Sequence, residues 1–557
     1  MIGKYFALPL ATVLALMVAA PLPAQLTPES SAQPALEQMF ADWRAFVRAS
    51  PANAGVASDY GADAMARKLA ALPEWRARSA RIERTGWPQQ AIDDARLIDA
   101  EINGFDFFLR VLKPWARDPS FYATVFADQS DVPAHEGPSA EPNIDLWAFD
   151  WPLSSADDRK LTALLRTVPD TLKAARTNLA GSQAGDLWRY GGRSFHEQSE
   201  TLDALAKGTL TLRSLAGRRP ATMTGASAAL RRAIAGARTA TDDFARWVEA
   251  EAPGRRGPSG VGKANYDWFA KNVQLSPYDW DAQQLLLQRE LDRALTSLRL
   301  EEVRNRALPP IAPIDDPVAY ARMAQAKTRK FNDFLVATGI VPDRPYFRAA
   351  LEAQTSSYVA PADRNFFSHG SALDPLPLLS HSTHWIELAR LRHEPHPDPV
   401  RRTAPLFNIF ADRSEGFATA MEEVVMQAGL YDDIPHGREL VWIMLANRAA
   451  RGLASLQVQA NEWDLATAGR YHAEWTPRGW SDPASRLVGF EQLLYLRQPG
   501  YGTSYIVGKL QLDHLLATAS YDADQRRQSF SLSSTMAEIL KAGIVPPALI
   551  ADELNSR

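Results

Sequence analysis

The residues best suited to chemistry lie between His369 and Glu422. Five of the chain's ten histidines, His369, His381, His384, His393 and His396, fall in the first half of that stretch. Its informative core is S-H-S-T-H-W-I-E-L from Ser380 to Leu388, followed by R-S-E-G-F-A-T-A-M-E-E from Arg413 to Glu423. If both pieces are helical, His381 and His384 share one face, and Glu415 and Glu422 share another, about 10 Å apart along the axis. Two imidazoles from one helix and a carboxylate from the next are a recurrent way to hold zinc or another divalent metal with one position open. A purely structural reading stands beside it, because histidines at this spacing next to Trp385 and Leu388 can simply flank a buried stripe. His393 and His396 follow the expected helix end in R-H-E-P-H-P-D-P, and the prolines predict a solvated loop rather than ligands.

The wider composition narrows the alternatives. The 557 residues are 46% hydrophobic and 23% charged, ordinary values for a globular chain with a large core. A net charge of -4, with acids and bases interspersed, gives no basic footprint for nucleic acid. There is no cysteine, which excludes disulfides, thiolate metal ligands and a cysteine nucleophile. Any metal must therefore be held by His, Asp or Glu. The N-terminus has the form of an export signal: Lys4 is basic, Phe6 to Ala20 is apolar, and Pro21 to Ala24 leads to a cleavage point before Gln25. The apolar run is interrupted by Pro9 and is shorter than a spanning helix needs, and no cysteine follows it for lipid attachment. A mature chain with no integral membrane segment, periplasmic or secreted, is expected.

The elements that position the central stretch read as mainly α-helical, with minor β structure. Leu36, Met39, Phe40, Trp43 and Phe46 recur at helical steps, as do Ile98, Ile102, Phe105 and Leu109. Residues 119–152 are aperiodic and aromatic, so Trp147, Phe149 and Trp151 are expected to pack into a groove. Helices are expected over 156–179 and 200–250, with 218–225 as the turn inside the second. The Gly- and Pro-rich run over 252–262 cannot continue a helix and marks a lobe junction. This gives a signal peptide over 1–24, an N-terminal helical lobe over 25–255 and a C-terminal helical lobe over 256–557, with a central cleft between the lobes. Later elements are a helix capped by Ser276 with Pro277 at its first position, strands within 356–370, and a long helix over 438–463. A turn at Pro499 and Gly500 then leads into a helix carrying Tyr505 and capped by Thr503 or Ser504.

The chain after about Gly262 resembles a large bacterial family of helical, mostly uncharacterised proteins, domain of unknown function eight hundred and eighty-five. That family is itself similar to all-helical zinc carboxypeptidases. The resemblance rests on G-K-A-N-Y-D-W-F from Gly262, E-G-F-A-T-A-M-E from Glu415 where the family has E-G-W-A-x-Y-x-E, A-G-L-Y-D-D from Ala428, and P-G-Y-G-T-S-Y-x-x-G from Pro499. It implies a two-lobed metallopeptidase-like architecture, Glu415 as a metal ligand, and Tyr505 as an active-site phenol for a tetrahedral oxyanion. Tyr501, in the same motif, becomes a candidate substrate contact. The family's H-E-x-x-P-G-H-H motif is degenerate here: aligned on His384, its leading His and Glu fall on Leu378 and Leu379, and a further family His falls on Gln459. Leucine can neither bind zinc nor move a proton. His381 would then have to serve as the second imidazole ligand, with Glu387 or Glu422 as base.

Three functions follow from these residues. The first is an exported, divergent zinc-metallopeptidase-like hydrolase of peptides or small amides, using His381, His384 and Glu415 as ligands. The second is a catalytically degenerate relative that binds peptide or cell-envelope fragments without cleavage. The third, a hydrolase without metal, lacks any nucleophile elbow in a strand-turn-helix setting.

Overall fold

The structure is a computed structural model that describes residues 34–47, 56–133 and 143–556. The expected signal peptide lies outside the described residues. Helix makes up 68% and strand 3% of the described residues, so the fold is mainly α as its periodicity predicts. Among the described residues, strand is confined to two two-stranded sheets: Val125–Phe126 pairs parallel with Ile144–Asp145, and Thr211–Ser214 pairs antiparallel with Gly217–Pro220. No helix among the described residues is long and apolar enough to cross a membrane.

Several local expectations are corrected. The 218–225 turn belongs partly to the hairpin, whose reversal at Leu215 and Ala216 precedes Gly217 at φ 94°. The 356–370 region holds no strand. It contains a short 3-10 turn and the helix Phe366–Leu373, which opens on a reciprocal Asn365–Ser368 capping box. The helix expected from Ser276 starts instead at Trp280, because Asp279 Oδ1 accepts from the Ala282 amide at 2.9 Å and is the stronger cap. Trp147 and Trp151 are half-buried against the core and Phe149 is buried, as expected for packing residues.

The scaffold of the site is a set of long central helices. Helix Ala411–Gln427 is buried on every side from Ala411 to Met421, as a helix in the middle of a large core must be. It crosses helix Tyr501–Gln525 with Gly416 against Gly508. A Cβ on either glycine would overlap the other helix's main chain, so only glycine permits this approach. Helix Pro435–Gln459 packs along Trp280–Asn305 and against Tyr501–Gln525. At its end, Gln459 Nε2 donates to the carbonyls of Tyr495 and Leu496 at 2.7 and 3.0 Å, and its own carbonyl accepts from Gly262 at 2.8 Å. Gln459 thus ties the 262 region to the helix before Tyr501. One buried apolar cluster runs from Leu36 to Ile550, including residues on both sides of the 252–262 stretch.

Candidate metal centre

The histidine segment is two short helices rather than one. Leu376–His381 ends at Ser382, and His384–His393 begins immediately after Thr383. This joint places His381 at the last position of one helix and His384 at the first of the next. Their rings lie 4.9 Å apart and nearly perpendicular, at 88°. Both aim Nε2 at one carboxylate oxygen, Glu415 Oε2: His384 from 3.2 Å and His381 from 3.4 Å. A tetrahedral ion with ligand bonds of about 2.05 Å separates neighbouring ligand atoms by about 3.3 Å, so both distances match a shared ion. Among the described residues, His381, His384 and Glu415 form one group whose ligand atoms all lie within 4.8 Å of one another. The donor set of two imidazoles and a carboxylate fits zinc.

The second oxygen of Glu415 has a separate partner. Tyr501, in the first turn of its helix, donates its hydroxyl to Glu415 Oε1. The phenol expected to touch substrate is therefore engaged in fixing the carboxylate. The helix starts at Tyr501 because Gly500 adopts φ 78° as its cap, three or four residues earlier than capping by Thr503 or Ser504 would allow. Tyr505 follows one turn later on the same face. Its ring lies 6.0 Å from His381 at 20°, and the Arg451 guanidinium sits 4.3 Å from its centre.

Electrostatics follow from this burial. Burial alone would raise the Glu415 carboxyl, but the charge of His384 and the hydrogen bonds from His381 and His384 outweigh it and hold the group well below the usual carboxylate range. Burial would lower His384, yet the Glu415 charge prevails and raises it. Burial, reinforced by the nearby Glu415 charge, pushes the Tyr501 and Tyr505 phenols well above their ordinary value, so both keep their protons. His384 and Glu415 side chains are only 4% exposed, whereas His381 is 15% exposed and gives the site its access to solvent.

The two candidate bases differ. Glu422 faces Arg448, with Nη1 2.7 Å from Oε2 and Nη2 2.6 Å from Oε1, and its Oε1 also lies 3.0 Å from His381 Nδ1. Glu387 makes one long contact, 3.3 Å from Arg413 Nη2, and its Oε1 has no hydrogen-bond partner among the described residues. Leu379 is packed in the core and Leu378 is half-buried. His393 stacks on Tyr346 at 4.7 Å, and His396 Nδ1 accepts from the Asp398 amide at 3.1 Å, so neither joins the cluster. His369 packs against Trp480 at 4.6 Å, also outside it.

Sequence reasoning missed the buried arginines Arg413, Arg448 and Arg451, each almost fully enclosed. For Arg448 and Arg451 the signal was legible in principle, as cations inside a helical stretch that is otherwise mostly apolar or small. It also missed Asp131. Val132 is buried with Tyr501 and Tyr505 in one apolar cluster, which brings the Asp131 charge close enough to favour protonated His384.

No family profile matches the chain, and no curated protein does. Solved structures that share its fold include two described as lipoproteins. A "putative lipoprotein of unknown function" from Shewanella oneidensis is 13% identical with a TM-score of 0.64, covering 94% of this chain and 99% of that one. A "putative lipoprotein" from Colwellia psychrerythraea is 15% identical with a TM-score of 0.66, covering 93% and 98%. At such identities the likeness establishes a common architecture over nearly the whole chain.

Proposed function

We propose that the chain is a divergent, exported metal-dependent hydrolase of peptides or related amides, a distant member of the domain-of-unknown-function eight-eight-five family. The observation that carries this reading is the convergence of His381 Nε2, His384 Nε2 and Glu415 Oε2. A divalent ion bound there, such as zinc, would polarise a carbonyl and acidify a water. Glu387 Oε1 and Glu422 Oε1 both lack an aligned hydrogen bond. Glu387, on the His384 helix, is taken as the base because its one contact to Arg413 is longer than the two from Arg448 to Glu422. Tyr505, protonated throughout the neutral range, can donate to charge developing on a carbonyl oxygen. Export is supported by the basic, apolar and small-residue start of the sequence, and by structural neighbours described as lipoproteins.

The test is elemental analysis of protein purified without a histidine tag, followed by assay against N-blocked dipeptides and simple amides. One divalent ion per chain and chelator-sensitive cleavage are expected. A second reading, binding of peptide or cell-envelope fragments without cleavage, is favoured by Leu378 and Leu379 where the resembling family carries a ligand and its base. Metal at full stoichiometry with saturable peptide binding and no turnover would select that reading, and absence of metal after growth in zinc would remove the first.

A further inference from the structure

We infer that Glu422 and Arg448 form a positioning pair for His381, fixing which of its ring nitrogens meets the metal. The inference rests on the metal-centre reading above and extends it beyond the three ligands. His381 stands between two carboxylates on one helix, with Nε2 3.4 Å from Glu415 Oε2 and Nδ1 3.0 Å from Glu422 Oε1. The seven-residue spacing of Glu415 and Glu422 is two helical turns, so both acids face the same side and an imidazole fits between them. A neutral imidazole carries one proton, and the nitrogen that keeps it is set by the acceptor it faces. With Glu422 beside Nδ1, the proton stays there and the Nε2 lone pair is presented toward Glu415 Oε2 and His384 Nε2.

Arg448 makes this arrangement one-directional. It is almost fully buried, as is Glu422, and both of its Nη atoms lie within hydrogen-bonding distance of the Glu422 carboxylate. With the Arg448 guanidinium against both of its oxygens, the Glu422 carboxylate is placed as an acceptor for His381 Nδ1 rather than as a base in its own right. His381 Nδ1 and Glu422 Oε1 are close but lack an aligned hydrogen bond, and Arg448 Nε has no partner among the described residues. A ligand bond at His381 Nε2 would draw the ring into line for the Nδ1 to Glu422 contact, the alignment that is lacking here. His381 is also the ligand with the least enclosure, hence the one most in need of a second anchor.

The test measures zinc affinity by competition with a chromophoric chelator, for the wild-type protein, Glu422→Gln and the double variant Glu422→Leu/Arg448→Met. The double variant replaces the buried pair by apolar side chains of similar size, and so guards against unfolding caused by an unpaired arginine. Both variants are expected to keep zinc stoichiometry with affinity lowered about ten- to a hundredfold. A folded double variant with wild-type affinity overturns the inference. A measurement that needs no variant is the nitrogen-15 NMR signature of His381 in the zinc-loaded wild-type protein. Protonated Nδ1 with metal at Nε2 is expected, and metal at Nδ1 overturns the inference while leaving the metal centre in place. Wild-type protein that takes up no zinc overturns the metal-centre reading and this inference with it.

Discussion

Tyr501 donates its hydroxyl hydrogen to Glu415 Oε1, while His381 and His384 both address Glu415 Oε2. One carboxylate thus has two distinct edges, one for orientation and one for ligation. Tyr501→Phe keeps the ring and removes the orienting bond. Zinc affinity is expected to fall about tenfold or more, and the folded state should lose about 1.5–3 kcal/mol because a hydrogen bond to a buried charged group disappears. Chelator competition and chemical denaturation check the two effects separately.

Tyr505→Phe should behave differently, because the Tyr505 ring, not its hydroxyl, is what packs on His381. In an active enzyme, turnover is expected to fall about tenfold or more with zinc content unchanged. Unaltered turnover in a folded variant would show that the hydroxyl takes no part in the chemistry.

Replacing His393 and His396 together by Ala should leave zinc content at the wild-type level. Their rings are engaged with Tyr346 and the Asp398 amide, away from the cluster. Loss of metal in this double variant would require a different ligand set.

Stability toward acid should depend on Glu423. Burial raises this carboxyl, but hydrogen bonds from Arg293 and the charge of Lys509 overcome that and bring it from the usual 4.5 to about 2. A carboxylate with a lowered folded pKa stabilises the fold fully above its unfolded pKa, and that contribution fades as pH falls through the folded value. Glu423→Gln should therefore be less stable than wild type at pH 7. The difference should shrink between about pH 4.5 and 2, as read from denaturation midpoints across that range.

Gly508→Ala places a methyl group against the Asp412 carbonyl and forces the two central helices apart. Overpacking of this kind costs about 1–3 kcal/mol. Because Glu415 and Tyr501 lie on the two separated helices, zinc affinity should fall along with the melting temperature. A surface control such as Gly254→Ala, where an added Cβ meets nothing within 4 Å, should change neither.

The helical nature of the fold was legible because it depends on local periodicity. His381, His384 and Glu415, singled out by residue type and by the family resemblance, do come together, although the two histidines do not share one helix. The break at Ser382 and Thr383 was not legible, since S-T between two histidines is as compatible with a continuous helix as with a joint. The bond from Tyr501 to Glu415 was hidden for another reason. It depends on Gly500 entering the left-handed region, and a turn two residues longer would have sent Tyr501 elsewhere. Arg448 and Asp131 belong to segments far from the histidines in the chain, and no local period reports that they meet them.

The glycine crossing of the two central helices also divides the site into parts of unequal evolvability. Glu415 is registered by main chain pressed on main chain, where any side chain at Gly416 or Gly508 pushes the helices apart, whereas the imidazoles hang from an articulated pair of short helices outside that crossing. Leu378, Leu379 and His381 all sit on the histidine side, so a change among them need not displace the acid. Redesign of metal preference would accordingly recut the 378–384 stretch and leave the crossing untouched.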